Sequence, residues 1–258
     1  INAGGVTIHS FFQFSFGPYV PQVKTSEHYK LNKRKIELIR HLDLIVIDEI
    51  SMVRADLLDR IDAILRLYRR SSRPFGGVQL LLIGDLCQLS PVVKEEDRIH
   101  LEKHYETPYF FSSSALSKAG YKTIELKTVF RQHDDTFVSL LNKVRDNKID
   151  QHTLDQLNER YLPGFVPQDN EGYVYLVTHN YQAQQINEQK LCSLPEKSWH
   201  FRSKITGTFP ETSFPADELL VFKLGAQVMF IRNDSSHRYC NGTLGTISDI
   251  SEKTISVR

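Results

Sequence analysis

At 258 residues, with 40% hydrophobic and 24% charged side chains, the chain has enough material for roughly two domains with sizeable cores. Its formal net charge of +1 announces no nucleic-acid partner, so any such surface must come from local clustering. Three widely spaced cysteines, Cys87, Cys192 and Cys240, make neither a local zinc motif nor a disulfide framework and point to a reducing compartment, and the sequence carries no signal peptide, transmembrane run or low-complexity tract.

Residues 1–16 open with Gly4-Gly5 and continue as Val6-Thr7-Ile8-His9-Ser10-Phe11-Phe12. They read as a short strand followed by polar and aromatic groups suited to stacking on bases and touching phosphates. A strand end with a phenylalanine pair in the core is the alternative. Residues 17–29, with Pro18 and Pro21, form a loop or small insertion with a basic flank of Lys24, Lys30, Lys33, Arg34 and Lys35. Residues 31–42 read as a helix leading into 44–47, a β-branched run suited to a strand buried on both faces of a parallel sheet. Asp48 and Glu49 then stand where such a strand leaves the sheet, the edge at which open α/β folds place ligands. This is the arrangement of a Walker B pair: one carboxylate holds Mg²⁺ through its water shell, and the other orients and deprotonates the water that attacks a γ-phosphate. An acidic pair capping a strand end is the bland alternative. Ser51 is placed to cap a helix whose apolar positions Val53, Leu57, Ile61, Ile64, Leu65 and Tyr68 recur at helical spacing.

A basic cluster, Arg66, Arg69, Arg70 and Arg73, and the turn at 74–77 precede a second buried run at 78–83 that ends in Gly84-Asp85-Leu86-Cys87-Gln88-Leu89-Ser90-Pro91-Val92. Strand, helix and strand make a right-handed βαβ unit, which brings both strand tips to one sheet edge. Gln88 is then placed to hydrogen-bond a γ-phosphate and the attacking water, and Pro91 and Val92 to carry that state to a bound strand. Further on come an aromatic segment at 109–111, a helix end at 116–120 and a strand at 123–126. Val129-Phe130-Arg131-Gln132 leads into a helix over 134–147. Arg131, at a strand-to-helix junction, is a candidate γ-phosphate contact from a second domain, with a surface ion pair as the alternative. A short helix over 153–161 and a linker at 163–172 lead to a third buried strand at 173–177, which ends in Thr178-His179-Asn180 before a helix over 181–191. Residues 195–215 are irregular. Hairpin patterns fill 219–224, 225–232 and 241–247, with Asn241-Gly242 the strongest turn signal. The start at Ile1 without Met and the alternating pattern at 254–257 give the sequence the look of a fragment.

With these segments in order, the chain resembles the Pif-one/RecD-like group of superfamily-one DNA helicases, which move 5′ to 3′ on a single strand. GGVTIHSFF resembles the group's motif Ia, VIDEISM motif II, GGVQLLLIGDLCQLSPV motif III and FRQ motif IV; LGAQVMFIRND and NGTLGTI resemble the segments leading to a small SH3-like insertion. The resemblance implies an α/β protein with two tandem RecA-like, P-loop NTPase-type parallel-sheet domains, at 1–127 (with a small insertion near 17–40) and 128–240, and the start of the SH3-like insertion at 241–258. It implies ATP and Mg²⁺ as cofactors, with Asp48 and Glu49 at the metal, Glu49 as base, Gln88 as sensor and Arg131 as arginine finger. Thr7, His9, Ser10, Phe11, Pro91 and Val92 would lie on the DNA path, as would Thr178, His179 and Asn180. The implied partners are single-stranded DNA and fork or duplex junctions, met by a monomer with no membrane contact. The implied setting is intracellular, in repair, recombination or telomere maintenance: cytoplasm in a bacterium, nucleus or mitochondrion in a eukaryote. One departure stands out: no Gly-Lys-Ser or Gly-Lys-Thr occurs in the sequence, and the last two helicase motifs are absent. The 258 residues alone are therefore expected not to turn over ATP, and an ATP-independent binder of single strands is the competing reading.

Overall fold

A computed structural model describes residues 5–14, 17–19, 31–130, 132–168, 171–205, 216–234, 236 and 238–258. The chain divides into two compact units, Ile1–Tyr161 and Leu162–Arg258. The first contains α1 (Ile8–Phe12), α2 (Lys33–Arg40), β1 (Leu44–Ile47), α3 (Ala55–Arg69), β2 (Gln79–Leu82), α4 (Glu95–Leu101), α5 (Ser114–Ala119), α6 (Asp135–Arg145) and α7 (Gln151–Asn158). The second contains α8 (Asn180–Ser193), β3 (Trp199–Arg202), β4 (Leu219–Phe222), β5 (Gln227–Met229), β6 (Leu244–Ile250) and β7 (Ile255–Val257).

The core of the first unit is built on α3. Leu58, Ile61, Ile64 and Leu65 recur every three or four residues, so they share one stripe, and all four are fully buried. That stripe packs with Ile39 of α2, Ile47 of β1 and Ala115 and Leu116 of α5. β1 and β2 pair in parallel with Leu44 opposite Gln79 and Ile47 opposite Leu82. Their inward residues Ile45, Ile47, Leu80 and Leu82 join the core. The expectation of strands buried on both faces fails, because Val46 is 53% exposed and Leu44 and Leu81 are exposed beside it. Among the described residues the core packs against one face of this pair, so the strands alternate as a one-sided sheet does.

α3 also carries three aspartates, three residues apart, that turn inward. Asp56 is 1% exposed and Asp59 and Asp62 are each 7% exposed. Each accepts a backbone N–H from a segment outside α3: Tyr19 N–H on Asp56 at 2.8 Å, Ala115 N–H, in the first turn of α5, on Asp59 at 2.9 Å and Phe75 N–H on Asp62 at 2.5 Å. Asp56 is paired as well with Arg54 at 2.8 Å, and Arg54 with Asp97 of α4 at 3.2 Å. Such buried carboxylates are tolerated because their lone pairs are filled. Arg69 works in the opposite sense: its Nη1 donates to the carbonyls of Ile39, Arg40 and Leu42 at 2.8–2.9 Å, closing the end of α2. The turn that follows α3 needs glycine at 76, where φ is +64° and an added Cβ would come 2.7 Å from the Leu65 carbonyl oxygen.

Two strands expected in the sequence do not form. Residues 123–126 and 173–177 lie outside any strand, and Leu176 is 94% exposed. β propensity expresses a fit to a paired, half-buried surface, and neither segment has a ladder partner among the described residues. The start of the chain also departs from expectation. Residues 8–12 are helical rather than extended, because the Thr7 hydroxyl accepts the Ser10 N–H at 3.2 Å as an N-cap and Phe12 packs into the core.

The second unit is mostly antiparallel. β3 pairs with β4, and β5–β6–β7 form a three-stranded sheet around Ala226, Ile247 and Ile250. The Asn241-Gly242 turn falls between β5 and β6 as its composition predicts, with Gly242 at φ +91°. β3 lies in the stretch that the sequence left irregular. Among the described residues no helix is long and apolar enough to cross a membrane.

Candidate functional site

Parallel pairing puts the ends of β1 and β2 on one edge, and the backbone locks them there. The Ile83 N–H donates to the Ile47 carbonyl at 2.9 Å, and the Ile50 N–H returns to the Ile83 carbonyl at 2.9 Å. Asp48 and Glu49 occupy the turn between these two bonds. The Asp48 Oδ1 accepts the Glu49 N–H at 3.0 Å, and Glu49 itself sits at φ 53°, ψ 44°. A non-glycine residue in the left-handed region carries a cost that the surroundings must over-determine. Here they do so through the Ile50–Ile83 bond and through Gly84, whose missing Cβ would lie 2.9 Å from Ile50 Cγ2 and 3.0 Å from Ile50 N. Both carboxylates are exposed.

Residues 84–88 continue from β2 on the same edge. Asp85 organises them: its Oδ1 accepts the Cys87 N–H at 3.0 Å and its carbonyl accepts the Gln88 N–H at 3.0 Å, which leaves the Gln88 side chain exposed. The same Oδ1 meets Arg145 of α6 at 3.3 Å. Neither Asp85 nor Arg145 was singled out as a partner in the sequence, because 60 residues separate them and no spacing rule links them. Ser51 corrects the expected helix cap. α3 begins at Ala55 with Arg54 at the N-cap position, and the Ser51 Oγ is buried without a hydrogen-bond partner among the described residues. Arg131 lies outside the described residues.

Among the described residues no cluster of three or more His, Cys, Asp or Glu side chains could hold a metal. Mg²⁺ uses one or two carboxylates and completes its shell with waters and substrate phosphates. An exposed carboxylate pair at a strand tip fits such an ion, whereas the sequence offers no Gly-Lys-Ser or Gly-Lys-Thr loop to cradle the phosphates.

The expected strand-binding residues fall into three sets. Thr7, His9, Ser10 and Phe11 lie on or beside α1, where Thr7, His9 and Ser10 are exposed and Phe11 is half-buried against Phe12 at 4.8 Å. Although His9 is exposed as a residue, partial enclosure of its ring first, and then the charges of Arg60 and Arg54, hold the imidazole below its ordinary 6.5, which favours the neutral form. Val92 is 77% exposed, but Pro91 is buried and presents no surface of its own. In the second unit, Thr178, His179 and Asn180 lead into α8, are exposed, and are ordered by a Thr178 Oγ1 to His179 Nδ1 contact of 2.9 Å.

Comparisons with known proteins agree with one another. A family profile described as PIF1-like helicase matches residues 1–155, and one described as DNA helicase Pif1, 2B domain, matches residues 211–250. The ATP-dependent DNA helicase PIF1 of Candida albicans is 35% identical over 98% of this chain and 28% of its own length. Its human namesake is 34% identical over 95% of this chain and 37% of its own. The chain thus spans well under half the length of these curated relatives. A crystal structure of Pif1 helicase from Bacteroides in complex with ADP-AlF3 and ssDNA superposes with a TM-score of 0.83 at 37% identity, over all of this chain and 59% of that one. A structure described as the basis for unwinding at forked dsDNA by two coordinating Pif1 helicases gives 0.84 at 38%, over all of this chain and 60% of that one.

Proposed function

Because the chain belongs to the PIF1-like helicase family, we propose that its parent protein is an ATP-dependent DNA helicase, coupling ATP hydrolysis to 5′-to-3′ movement on a single strand and to unwinding at forks. The observation that carries this reading is the shared edge: an exposed Asp-Glu pair locked beside the 84–88 turn by reciprocal backbone bonds. In the proposal Asp48 holds Mg²⁺, with Glu49 beside it. Glu49 takes the proton from the attacking water, and its left-handed backbone fixes the carboxylate's direction before substrate arrives. Bound Mg²⁺ supplies charge neutralisation on the transferring phosphoryl group. Gln88 orients the water, and Arg131 stabilises the charge that develops. Thr7, His9, Ser10, Phe11 and Val92, with Thr178, His179 and Asn180, contact the single strand by hydrogen bonding and stacking. In the same proposal the RecA-like domains run over 1–127 and 128–240, an SH3-like insertion begins near 241, and the working unit is a monomer.

The test uses the whole protein. Glu49→Gln keeps the shape and a hydrogen-bonding group, so nucleotide and Mg²⁺ still bind while ATP turnover collapses. Arg131→Ala lowers turnover by about 10³ to 10⁵ without preventing nucleotide binding. Wild-type turnover in either variant shows that the role belongs to another residue.

A further inference from the structure

The near-zero net charge hides a segregation of signs on the α2–α3 layer. The three aspartates of α3 point into the protein, whereas Arg66, Arg70 and Arg73 at its far end, and Arg40 at the end of α2, are exposed. A groove lined by Arg40, Tyr68, Arg69, Arg70, Ser71 and Gly76 runs between them. Its floor is preorganised: Arg69 is pinned to three carbonyls, and the Arg40 Nε donates to the Tyr68 carbonyl at 3.3 Å. Arg66 has a 3.5 Å pair with Asp62 and is 45% exposed at its side chain. Glu37 and Asp43 are the exposed acids nearby in sequence, and they are outnumbered.

Within the first unit, the position separates this surface from the strand-binding residues proposed on α1. α1 lies by the start of α2 and the first half of α3, since Lys35 donates to the Ser10 and Phe11 carbonyls and Arg60 stacks on Phe14 at 4.3 Å. Arg70 is ten residues beyond Arg60, about 15 Å along the helix axis. The arginine end also lies at the start of β1 and β2, opposite the edge that bears Asp48 and Glu49. Every exposed cation in the group is arginine, whose planar fork suits bidentate contact with phosphate oxygens, and Arg66 and Arg70 are spaced about 6 Å along the axis. From these observations we infer that the end of α3 is a second DNA surface, which holds the phosphate backbone of duplex DNA while a single strand occupies the α1 side. The inference rests on the proposed function, because it takes its ligand class from a protein that acts on DNA.

The test measures binding of the 258-residue chain to a blunt-ended duplex and to a short oligothymidylate over a range of salt. Arg66→Gln, Arg70→Gln and Arg73→Gln combined should lower the slope of log affinity against log salt for the duplex by about 2 to 3, at roughly 0.9 for each phosphate that the protein no longer neutralises. The oligothymidylate slope and the melting temperature should stay at wild-type values. Arg70→Gln alone should lower the duplex slope by about 1, which keeps the test open if the triple variant fails to fold. An unchanged duplex slope, or equal losses for both DNAs, overturns the inference. Tighter binding of polyglutamate than of duplex makes the surface a dock for acidic protein and overturns it too. Failure of the wild-type chain to bind oligothymidylate counts instead against the proposed function.

Discussion

Glu49 shows how far a residue can be read before its backbone is seen. The acidic pair was legible from its place after an apolar run, but nothing in Asp-Glu-Ile-Ser-Met announces a left-handed glutamate at φ 53°. The conformation is imposed by a neighbour 35 residues on, because Gly84 lets the Ile50 and Ser51 amides approach its Cα where a side chain would stand. Gly84→Ala should therefore act on Glu49. The added methyl group forces the 48–51 turn off the β2 tip, costing about 1–3 kcal/mol of stability as overpacking does. In the whole protein it should reduce ATP turnover more than nucleotide affinity. Denaturant melts and steady-state kinetics check this, and a variant of wild-type stability and turnover would mean the turn yields freely. The Asp85–Arg145 pair was not legible at all, since only the fold brings it together.

At the scale of elements, periodicity was a good guide wherever an element's own stripe decides its fate. α3 and α6 stand close to where spacing puts them, and α6 gains its Asp134 cap as well; α8 also stands close to its expected span, but it has no buried residue and owes that to no stripe. Strands were a weaker guide, because an apolar run records a preference for pairing without naming a partner, and 173–177 has none among the described residues. Least visible was the buried polar side of α3. Asp59 accepts the Tyr105 hydroxyl at 2.9 Å together with the Ser113 hydroxyl and the Ala115 N–H, tying α5 to α3. Burial first, and then the Asp59 charge, raise the Tyr105 phenol above its ordinary 10.0. A raised value in the folded state means that the stabilisation is complete below pH 10 and is lost as pH rises beyond it. The chain should therefore lose stability in alkali above pH 10. Tyr105→Phe should flatten that loss while lowering stability near neutrality by about 1–2 kcal/mol, as expected when a buried acceptor loses one donor. Urea midpoints measured between neutral and strongly alkaline pH check both, and an alkaline slope equal to wild type would rule Tyr105 out as its source.

The whole molecule is two units with unequal cores. The first has a continuous cluster running from Phe12 through Leu58, Ile61 and Ile64 to Leu116, whereas the sheet core of the second has, among the described residues, three buried ones, Ala226, Ile247 and Ile250, with partly buried neighbours. Residues 1–161 made alone should fold and melt cooperatively, and residues 162–258 alone should be marginal, because a small unit buries too little to offset its chain entropy. Circular dichroism melts of the two pieces decide this; a non-cooperative first piece would show that its core needs the rest of the chain. The legible part of the molecule, the motif order and the strand-tip edge, lies mostly in that better-packed unit. Its inward aspartates also set a clock. The Tyr19, Phe75 and Ala115 amides all donate to side chains of one helix, so in deuterium they exchange with the opening of α3 and not with the breathing of their own segments, and three distant stretches of chain share a single lifetime.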